Sequence, residues 1–250
     1  MKAIVLAAGK GTRLGEVGRQ IPKPMLRVGG RPVLEQNLEW LRSSGVDEVV
    51  INLHHLGGAI RRYFGNGSHW GLKISYSPES ELLGTAGAVR RIHDAAFFGR
   101  RFPEDVLVVY GDNLYPISYR LDRMMEFHLS KGGFFTIGLY RNPAEIYKSG
   151  LAFLDRWGKI KHFLEKPGAS GAGVASSVVE GFPALGKGWI NTGVYVMKRE
   201  AVRWLPTGFS DFGRDIFPRL LARGTPLYGY RFSGRLMALD TIEHYRRATA

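Results

Sequence analysis

Short apolar runs alternate with longer amphipathic runs along the first half of the chain. Runs rich in Val, Ile and Leu are typical of buried strands, and apolar residues spaced at the helical period are typical of helices. The predicted strands span residues 3–8, 48–53, 73–77, 105–110 and 134–140, and the predicted helices span residues 33–43, 56–64 and 121–131. This alternation predicts a mostly parallel sheet covered by helices.

The pattern changes in the second half of the chain. Apolar runs at residues 151–154 and 159–163 flank the turn Asp155-Arg156-Trp157-Gly158, as the arms of a β-hairpin do. A strand at 193–197, a helix at 211–223 and a strand at 227–232 follow. Residues 168–188 are rich in Gly, Ala and Ser, which predicts a long loop, either flexible or a functional lid. We predict one α/β domain over residues 1–250: a Rossmann-like, mixed, mostly parallel sheet flanked by helices, with a smaller antiparallel subregion.

Composition narrows the classes of function. The chain has 250 residues, 35 Lys and Arg against 22 Asp and Glu, a formal net charge of +13, and no Cys. The missing Cys excludes a disulfide scaffold, a Cys-ligated zinc or iron–sulfur site, and a thiol nucleophile. The positive charge favours an anionic partner, whether nucleic acid, a membrane surface or a phosphorylated metabolite.

Hydropathy gives no sign of membrane insertion or export. No apolar run approaches the roughly 20 residues that span a bilayer. The apolar start of the chain also reaches a Gly/Lys/Arg loop too early for a secretory signal. We therefore expect a cytoplasmic protein with no membrane partner.

The first predicted strand runs into the loop Leu6-Ala7-Ala8-Gly9-Lys10-Gly11-Thr12-Arg13-Leu14. Glycines let the backbone approach a polyphosphate, and free N–H groups in such a turn bind anions. The loop also fits a plain tight turn, and it is neither a Walker A loop nor a complete dinucleotide fingerprint, because Leu14 holds the third glycine position. Just downstream, Pro22 and Pro24 fix the backbone around Lys23, which suits a phosphate contact.

These two motifs and five later segments resemble the signature of the sugar-1-phosphate nucleotidylyltransferases, in particular compact bacterial mannose- and heptose-1-phosphate guanylyltransferases. The later segments are Leu83-Gly84-Thr85-Ala86-Gly87-Ala88, Gly111-Asp112-Asn113, Glu165-Lys166-Pro167, Asn191-Thr192-Gly193-Val194-Tyr195 and Leu239-Asp240-Thr241. The resemblance covers nearly the whole chain. It implies an enzyme of class EC 2.7.7 that makes an NDP-sugar and pyrophosphate from an NTP and a sugar 1-phosphate. Residues 1–140 would then be mainly the nucleotide-binding half, and residues 141–250 mainly the sugar-binding half with the second metal ligand.

The resemblance also implies the roles of individual residues. Arg13, Lys23 and Asp112 are the implied catalytic residues. The implied nucleotide contacts are Leu6, Ala8, Gly9, Gly11, Thr12, Arg13, Gly84, Thr85 and Gly87, with glycines of the second segment admitting a flat base against the backbone. The implied sugar-phosphate contacts are Gly150, Glu165, Lys166, Asn191 and Thr192. In simpler interpretations, Thr85 caps a helix and Glu165 forms a surface ion pair with Lys166.

The resemblance brings Asp112 and Asp240 together on one Mg²⁺, the implied cofactor. Two carboxylates about 4 Å apart repel by roughly 4 kcal/mol at an effective dielectric constant of about 20, so a shared site needs a cation or a proton between them. Either aspartate could instead serve in a turn or a helix cap.

Substrate identity stays open among related classes. The preferred pair is GTP with D-glycero-D-manno-heptose 1-phosphate or mannose 1-phosphate, because no left-handed β-helix follows Asp240, as in the compact members. The alternatives are UTP, dTTP or CTP with glucose 1-phosphate or N-acetylmuramic acid 1-phosphate, and a phosphocholine cytidylyltransferase. A hypothesis from another class, a nucleic-acid-binding or regulatory pseudoenzyme, rests on the charge of +13. The family resemblance implies no nucleic-acid partner and is compatible with a homo-oligomer.

Overall fold

A computed structural model describes residues 1–99, 101–166 and 183–249. The helices are α1 (Glu16–Gln20), α2 (Val33–Ser43), α3 (Gly57–Phe64), α4 (Gly84–Asp94), α5 (Leu121–Lys131), α6 (Phe217–Ala222) and α7 (Ile242–Thr249). The strands are β1 (Lys2–Leu6), β2 (Arg27–Val28), β3 (Arg31–Pro32), β4 (Glu48–Leu53), β5 (Lys73–Pro78), β6 (Asp105–Tyr110), β7 (Asn113–Leu114), β8 (Phe135–Tyr140), β9 (Leu151–Leu154), β10 (Ile160–Leu164), β11 (Trp189–Lys198), β12 (Leu227–Arg231) and β13 (Met237–Ala238).

One mixed sheet forms the centre of the described structure. Four parallel strands lie in the order β5-β4-β1-β6, the crossover pattern of a Rossmann-like half. Beyond β6 the sheet continues through antiparallel pairs, with β11 between β6 and β8, and with β9 and β10 at that edge. The strand β12 pairs parallel to β8. The predicted fold class is therefore confirmed, and the antiparallel strands extend the main sheet.

Alternation along the strands builds two hydrophobic layers. In β1, Ala3 and Val5 pack on one face with apolar residues of α2, α3 and α5, whereas Ile4 and Leu6 pack on the other face with α4 and α6. Successive side chains of a strand point to opposite faces, so a strand covered on both faces reads as a continuous apolar run. The carboxyl ends of the buried parallel strands therefore lie together at one end of the sheet, and polar loops follow them.

Several predicted elements coincide with the observed ones. The helices at 33–43 and 121–131 and the strands at 48–53, 105–110 and 151–154 have the predicted bounds, and the hairpin turn after β9 is confirmed. The predicted helix at 211–223 is instead a π-helical turn, Phe212–Ile216, followed by the shorter α6. Of the expected loop 168–188, residues 168–182 lie outside the described residues, and Leu185–Lys187 form a 3-10 turn.

The apolar pattern does not give the bounds of α4, although a helix that starts near Thr85 is one interpretation of this segment. Gly84 and Gly87 lie in its first turn, and glycine disfavours a helix by about 1 kcal/mol relative to alanine. Its apolar residues Ala86, Val89 and Ile92 are nevertheless fully buried, so packing against the sheet outweighs that cost. Among the described residues, no helix has the length and apolarity needed to cross a membrane.

Candidate active site

Two adjoining clefts open where β1 and β6 end. The larger cleft has a volume of about 580 Å³ and the smaller cleft about 250 Å³. Both are lined by Thr85, Tyr110, Asp112 and Asp211, so they meet along these side chains. Ligands of open α/β sheets bind outside the carboxyl ends of the strands, and the junction of the two clefts lies at that edge.

The Gly-rich loop after β1 forms one wall of the smaller cleft. Leu6, Ala8 and Gly9 line it, and Gly11 then turns the chain with a left-handed φ of 63°. The N–H of Leu14 donates to Gly11 O over 2.9 Å, closing a short 3-10 turn. This turn directs Arg13 into the larger cleft. Gly11 and Thr12 line neither of these two clefts. They belong to the turn that positions Arg13.

A buried ammonium lies below the junction of the clefts. Lys23 is 6% exposed, and its Nζ donates to Asp112 Oδ2 and to Asp240 Oδ1, over 2.5 Å in each case. Arg13 Nη2 lies 3.5 Å from the same oxygen of Asp240. Four of the residues expected to act on phosphate and metal therefore converge here, although their positions in the chain are far apart.

The electrostatics of this cluster favour its charged form. Burial raises the pKa of Asp240, whereas the positive charges of Lys23 and Arg13 lower it by more. The net pKa of Asp240 therefore lies below the ordinary value of 3.8. Burial lowers the pKa of Lys23, and Asp112 and Asp240 more than compensate, so the net pKa lies above 10.5. The shifted pKa values keep the Asp240 carboxylate and the Lys23 ammonium ionised near neutral pH.

The two aspartates also suit a hard divalent cation. Both carboxylates face one point, and that point already holds positive charge from Lys23. Mg²⁺ prefers oxygen ligands and commonly takes one or two carboxylates, with waters and substrate phosphates completing its shell. In the ranges that the structure describes, no third His, Asp or Glu joins the pair as a ligand cluster.

The far end of the larger cleft contains the carboxylate of Glu165. A Cβ on Gly150 would lie 2.7 Å from Glu165 Oε2, and a Cβ on Gly213 would lie 2.2 Å from it, so both positions must be glycine for this carboxylate to fit. Burial raises the pKa of Glu165 above its ordinary value of 4.5, despite the ammonium of Lys166 at 3.8 Å. Glu165 is therefore a desolvated acceptor at the wall of a cleft.

A local irregularity in β11 presents Asn191 and Thr192 to the same cleft. The pairing with β8 shifts register between Asn191 and Tyr195, and Gly193 has a φ of 76°. Asn191 donates to the hydroxyl of Tyr195 over 2.9 Å and accepts from Gly193 N over 3.0 Å. Such bulges turn side chains toward functional sites, and here the amide is held by its neighbours.

Segment 208–211 crosses from the second half of the chain to cover the start of α4. Gly87 lies against this segment, because a Cβ there would be 2.1 Å from Gly208 O. A Cβ on Gly84 would be 2.5 Å from Ser210 O. Both glycines thus admit a chain segment. Gly84 also lines the smaller cleft, whereas Gly87 lines neither cleft, and a flat ring against these glycines stays a prediction.

Most of the site residues expected from the sequence line one of the two clefts, and further lining residues are not among those expected. Of the expected residues, Arg13, Thr85, Asp112, Gly150, Glu165, Lys166, Asn191, Thr192 and Asp240 line the larger cleft, and Leu6, Ala8, Gly9, Gly84, Thr85 and Asp112 line the smaller one. The missed lining residues include Asn52, Glu79, Tyr110, Phe209, Asp211 and Arg214. Tyr110 closes a predicted strand, so its position just before Gly111-Asp112 was the available signal.

A buried polar network supports the smaller cleft. Asn52 Oδ1 accepts from Ala7 N over 2.7 Å, and Asn52 Nδ2 donates to Glu79 Oε1 over 2.8 Å. Burial raises the pKa of Glu79 above 4.5. The network ties the Gly-rich loop to the end of β5 and leaves a carboxyl group on the cleft wall.

Comparison with known proteins assigns the family. A family model described as "Nucleotidyl transferase" matches residues 2–241, so the chain belongs to the nucleotidyl transferase family. This match confirms the resemblance drawn from the sequence motifs.

The names of two related proteins describe enzymes of glucose 1-phosphate. Over 99% of its length the chain is 34% identical to a UTP–glucose-1-phosphate uridylyltransferase of Synechocystis, and over 98% it is 29% identical to a glucose-1-phosphate adenylyltransferase of Desulfitobacterium hafniense. It spans 62% of the length of each relative. A Bacillus anthracis protein solved with a sucrose shares the fold, with a TM-score of 0.81, 22% identity, and coverage of 99% of this chain and 93% of that one.

Proposed function

We propose that this chain transfers a nucleotidyl group from an NTP to a sugar 1-phosphate and releases pyrophosphate and an NDP-sugar. One observation carries the proposal: Asp112 and Asp240, with Lys23 between them, lie at the junction of two clefts. Each substrate would occupy one cleft, and their phosphates would meet where the charged groups converge.

The lining of each cleft matches one substrate. The smaller cleft combines the Gly-rich backbone with the apolar side chains of Leu6 and Leu82, which suits a flat base and its ribose. The larger cleft offers Glu165 and Asn191 to sugar hydroxyls and Lys166 to the sugar phosphate. The acceptor Glu165 is desolvated, so a hydroxyl donor that reaches it gains a strong, charge-assisted hydrogen bond.

The reaction needs no general base. A phosphate oxygen of the sugar 1-phosphate is already anionic near neutral pH and attacks the α-phosphorus of the NTP. A new P–O bond forms, the bond to the β-phosphate oxygen breaks, and its electron pair leaves with pyrophosphate. Catalysis is then a matter of alignment and of positive charge at the oxygens, which Arg13, Lys23 and Lys166 provide. Mg²⁺ held by Asp112 and Asp240 would add charge at the α-phosphate and help to orient it.

For the nucleotide, our proposal is GTP. Glu79 places a carboxyl group on the wall of the smaller cleft, and its oxygens have lone pairs beyond those used by Asn52 and Leu83 N. Guanine presents two neighbouring N–H donors on one edge, whereas uracil and thymine flank a single N–H with two carbonyl oxygens. A carboxylate favours the first pattern. The sugar we propose is D-glycero-D-manno-heptose or mannose 1-phosphate.

The second candidate is a UTP-dependent enzyme of glucose 1-phosphate. It is favoured by the name of the Synechocystis relative, which is 34% identical. The two candidate reactions differ in the base and the sugar, and the charged residues at the junction would serve either reaction equally. A panel of substrates therefore separates them.

A grid of pyrophosphate-release assays tests the proposal. ATP, GTP, UTP, CTP and dTTP are each combined with Mg²⁺ and with the 1-phosphates of mannose, manno-heptose, glucose and N-acetylmuramic acid, or with phosphocholine. We expect release that requires both substrates, greatest with GTP and a manno-configured sugar. The Asp112→Asn variant should lose this activity, whereas the matched surface variant Asp122→Asn should keep it. No release in any combination, with steeply salt-dependent binding of RNA or DNA, would instead support the pseudoenzyme.

A further inference from the structure

Phe209 is an exposed aromatic residue at the rim of a cleft. Its side chain is 56% exposed and lines the smaller cleft, as do Leu6 and Leu82. The guanidinium of Arg214 lies 5.3 Å from the centre of its ring. Leaving a phenyl ring in water forfeits the stabilisation that burial would give, so its place beside an apolar cavity calls for an occupant that covers it.

The segment that carries Phe209 is held firmly on the start of α4. Ser210 N donates to Leu83 O, and Ser210 O accepts from Ala86 N, both over 2.9 Å. Asp211 Oδ1 accepts from Thr85 N over 3.0 Å and from the hydroxyl of Thr85 over 3.2 Å. These bonds satisfy N–H groups of the first helical turn and fix the two residues that follow Phe209.

The close approach of this segment depends on the missing side chains of Gly84 and Gly87. A Cβ on Gly84 would lie 2.5 Å from Ser210 O, and a Cβ on Gly87 would lie 2.1 Å from Gly208 O, so either would clash with the segment. The fixed segment therefore forms one part of the wall of the smaller cleft. The Gly-rich loop forms another part of that wall.

We propose that Phe209 is a binding residue for the nucleobase, contacting the face of its ring while Glu79 is available to its edge. The inference rests on the proposed use of an NTP. An aromatic side chain stacks on any base because every base has a π face, so Phe209 supplies affinity and Glu79 supplies selectivity. The positive guanidinium of Arg214 beside the ring adds a cation–π contact that holds the phenyl group in place.

Equilibrium binding to the intact chain tests this role. Dissociation constants are measured by calorimetry for GTP, UTP and inorganic tripolyphosphate, a probe that has the phosphates but no base. The variants are Phe209→Ala, Phe209→Tyr and the matched control Trp157→Ala. Trp157 is 61% exposed at the hairpin turn and has the guanidinium of Arg156 over its ring at 4.0 Å. Like Phe209 it is an exposed aromatic residue beside an arginine, but it lines neither of the two clefts.

We expect Phe209→Ala to raise the Kd of the better nucleotide about tenfold, as loss of a stacking partner does, and to change the Kd of tripolyphosphate less than about twofold. Phe209→Tyr and Trp157→Ala should change nucleotide binding less than about twofold. An unchanged nucleotide Kd in Phe209→Ala would overturn the inference. An equal loss for tripolyphosphate would overturn it too, because the effect would then be on the fold of the cleft.

The outcome is separable from the fate of the proposed function. If the wild-type chain binds nucleotides but forms no nucleotide sugar, the transferase proposal fails and the Phe209 comparison still decides the present inference. If the wild-type chain binds no nucleotide, both fail together, and the wild-type measurement alone shows it.

Discussion

The ammonium of Lys23 lies 2.5 Å from Asp240 Oδ1, although the two residues are 217 positions apart. The same nitrogen lies 2.5 Å from Asp112 Oδ2. One cation thus joins the turn after α1, the end of β6 and the segment before α7. Because Lys23 is buried, neither solvent nor a mobile surface charge can replace it at low cost.

Replacing this cation should reduce both stability and activity. Lys23→Met leaves two carboxylates without their shared partner, and we expect a loss of about 2 kcal/mol, since both aspartates are partly exposed. Turnover should fall about 100-fold or more, because charge at the reacting phosphates is lost. Urea unfolding and steady-state assays measure the two effects, with Lys73→Met as the exposed control. Added Mg²⁺ should recover more stability in Lys23→Met than in the wild type, and an equal effect on both would contradict a shared carboxylate site.

The stability supplied by this cluster should be independent of pH over the neutral range. The lowered pKa of Asp240 supplies stability that is present above about 3.8 and is lost as pH falls through the folded-state value. The raised pKa of Lys23 supplies stability that is present below about 10.5 and is lost as pH rises through its folded-state value. Unfolding of Lys23→Met and wild type at several pH values from about 5 to about 9 should therefore give a constant difference. A difference that vanishes within that window would contradict the assignment.

Glu165→Gln should trade function for stability. Burial raises the pKa of Glu165, so its charged form is disfavoured in the folded protein, and this cost is present at neutral pH and disappears as pH falls toward 4.5. The amide removes the cost, and we expect a higher Tm at pH about 8 and a smaller gain near pH about 5. The KM for the sugar phosphate should rise about tenfold, because a charge-assisted acceptor is lost. A lower Tm at the higher pH with an unchanged KM would contradict this account.

Gly213→Ala should act on the sugar through Glu165. The new methyl would lie 2.2 Å from Glu165 Oε2, so the carboxylate must move. We expect the KM for the sugar phosphate to rise about tenfold or more, with nucleotide affinity unchanged. Gly186→Ala is the matched control, because its Cβ would meet no atom within 4 Å. Equal kinetics in the two variants would show that Glu165 does not bind the sugar in the observed position.

Gly87→Ala should weaken nucleotide binding without contacting the nucleotide. Its methyl would lie 2.1 Å from Gly208 O and would push segment 208–211 away from α4. Gly58→Ala is a control in another helix, where the nearest atom is a flexible Arg62 nitrogen at 3.5 Å. We expect the Kd for NTP to rise in Gly87→Ala at least as much as in Phe209→Ala. Wild-type affinity in a folded Gly87→Ala protein would show that the segment does not form the wall.

The predictability of the site depended on whether a residue belongs to a motif at a strand end. Asp112 follows a strand whose bounds the apolar pattern gives, so its position at the sheet edge could be predicted. Asp112 and Asp240 are paired through the family resemblance, but the contact between Lys23 and Asp240 is tertiary and has no local signal. Phe209 and Asp211 precede a π-helical turn, and only the fold brings them to α4. A single domain, cytoplasmic location and a homo-oligomer stay predictions from the sequence.

Isotope tracing tests the central claim most directly. The sugar 1-phosphate carries heavy oxygen on its phosphate, the NTP is unlabelled, and mass spectrometry follows the products. Attack by the sugar phosphate on the α-phosphorus predicts that all of the label is retained in the NDP-sugar and that pyrophosphate is unlabelled. Labelled pyrophosphate, or release of an unlabelled nucleoside monophosphate in place of the NDP-sugar, would contradict it.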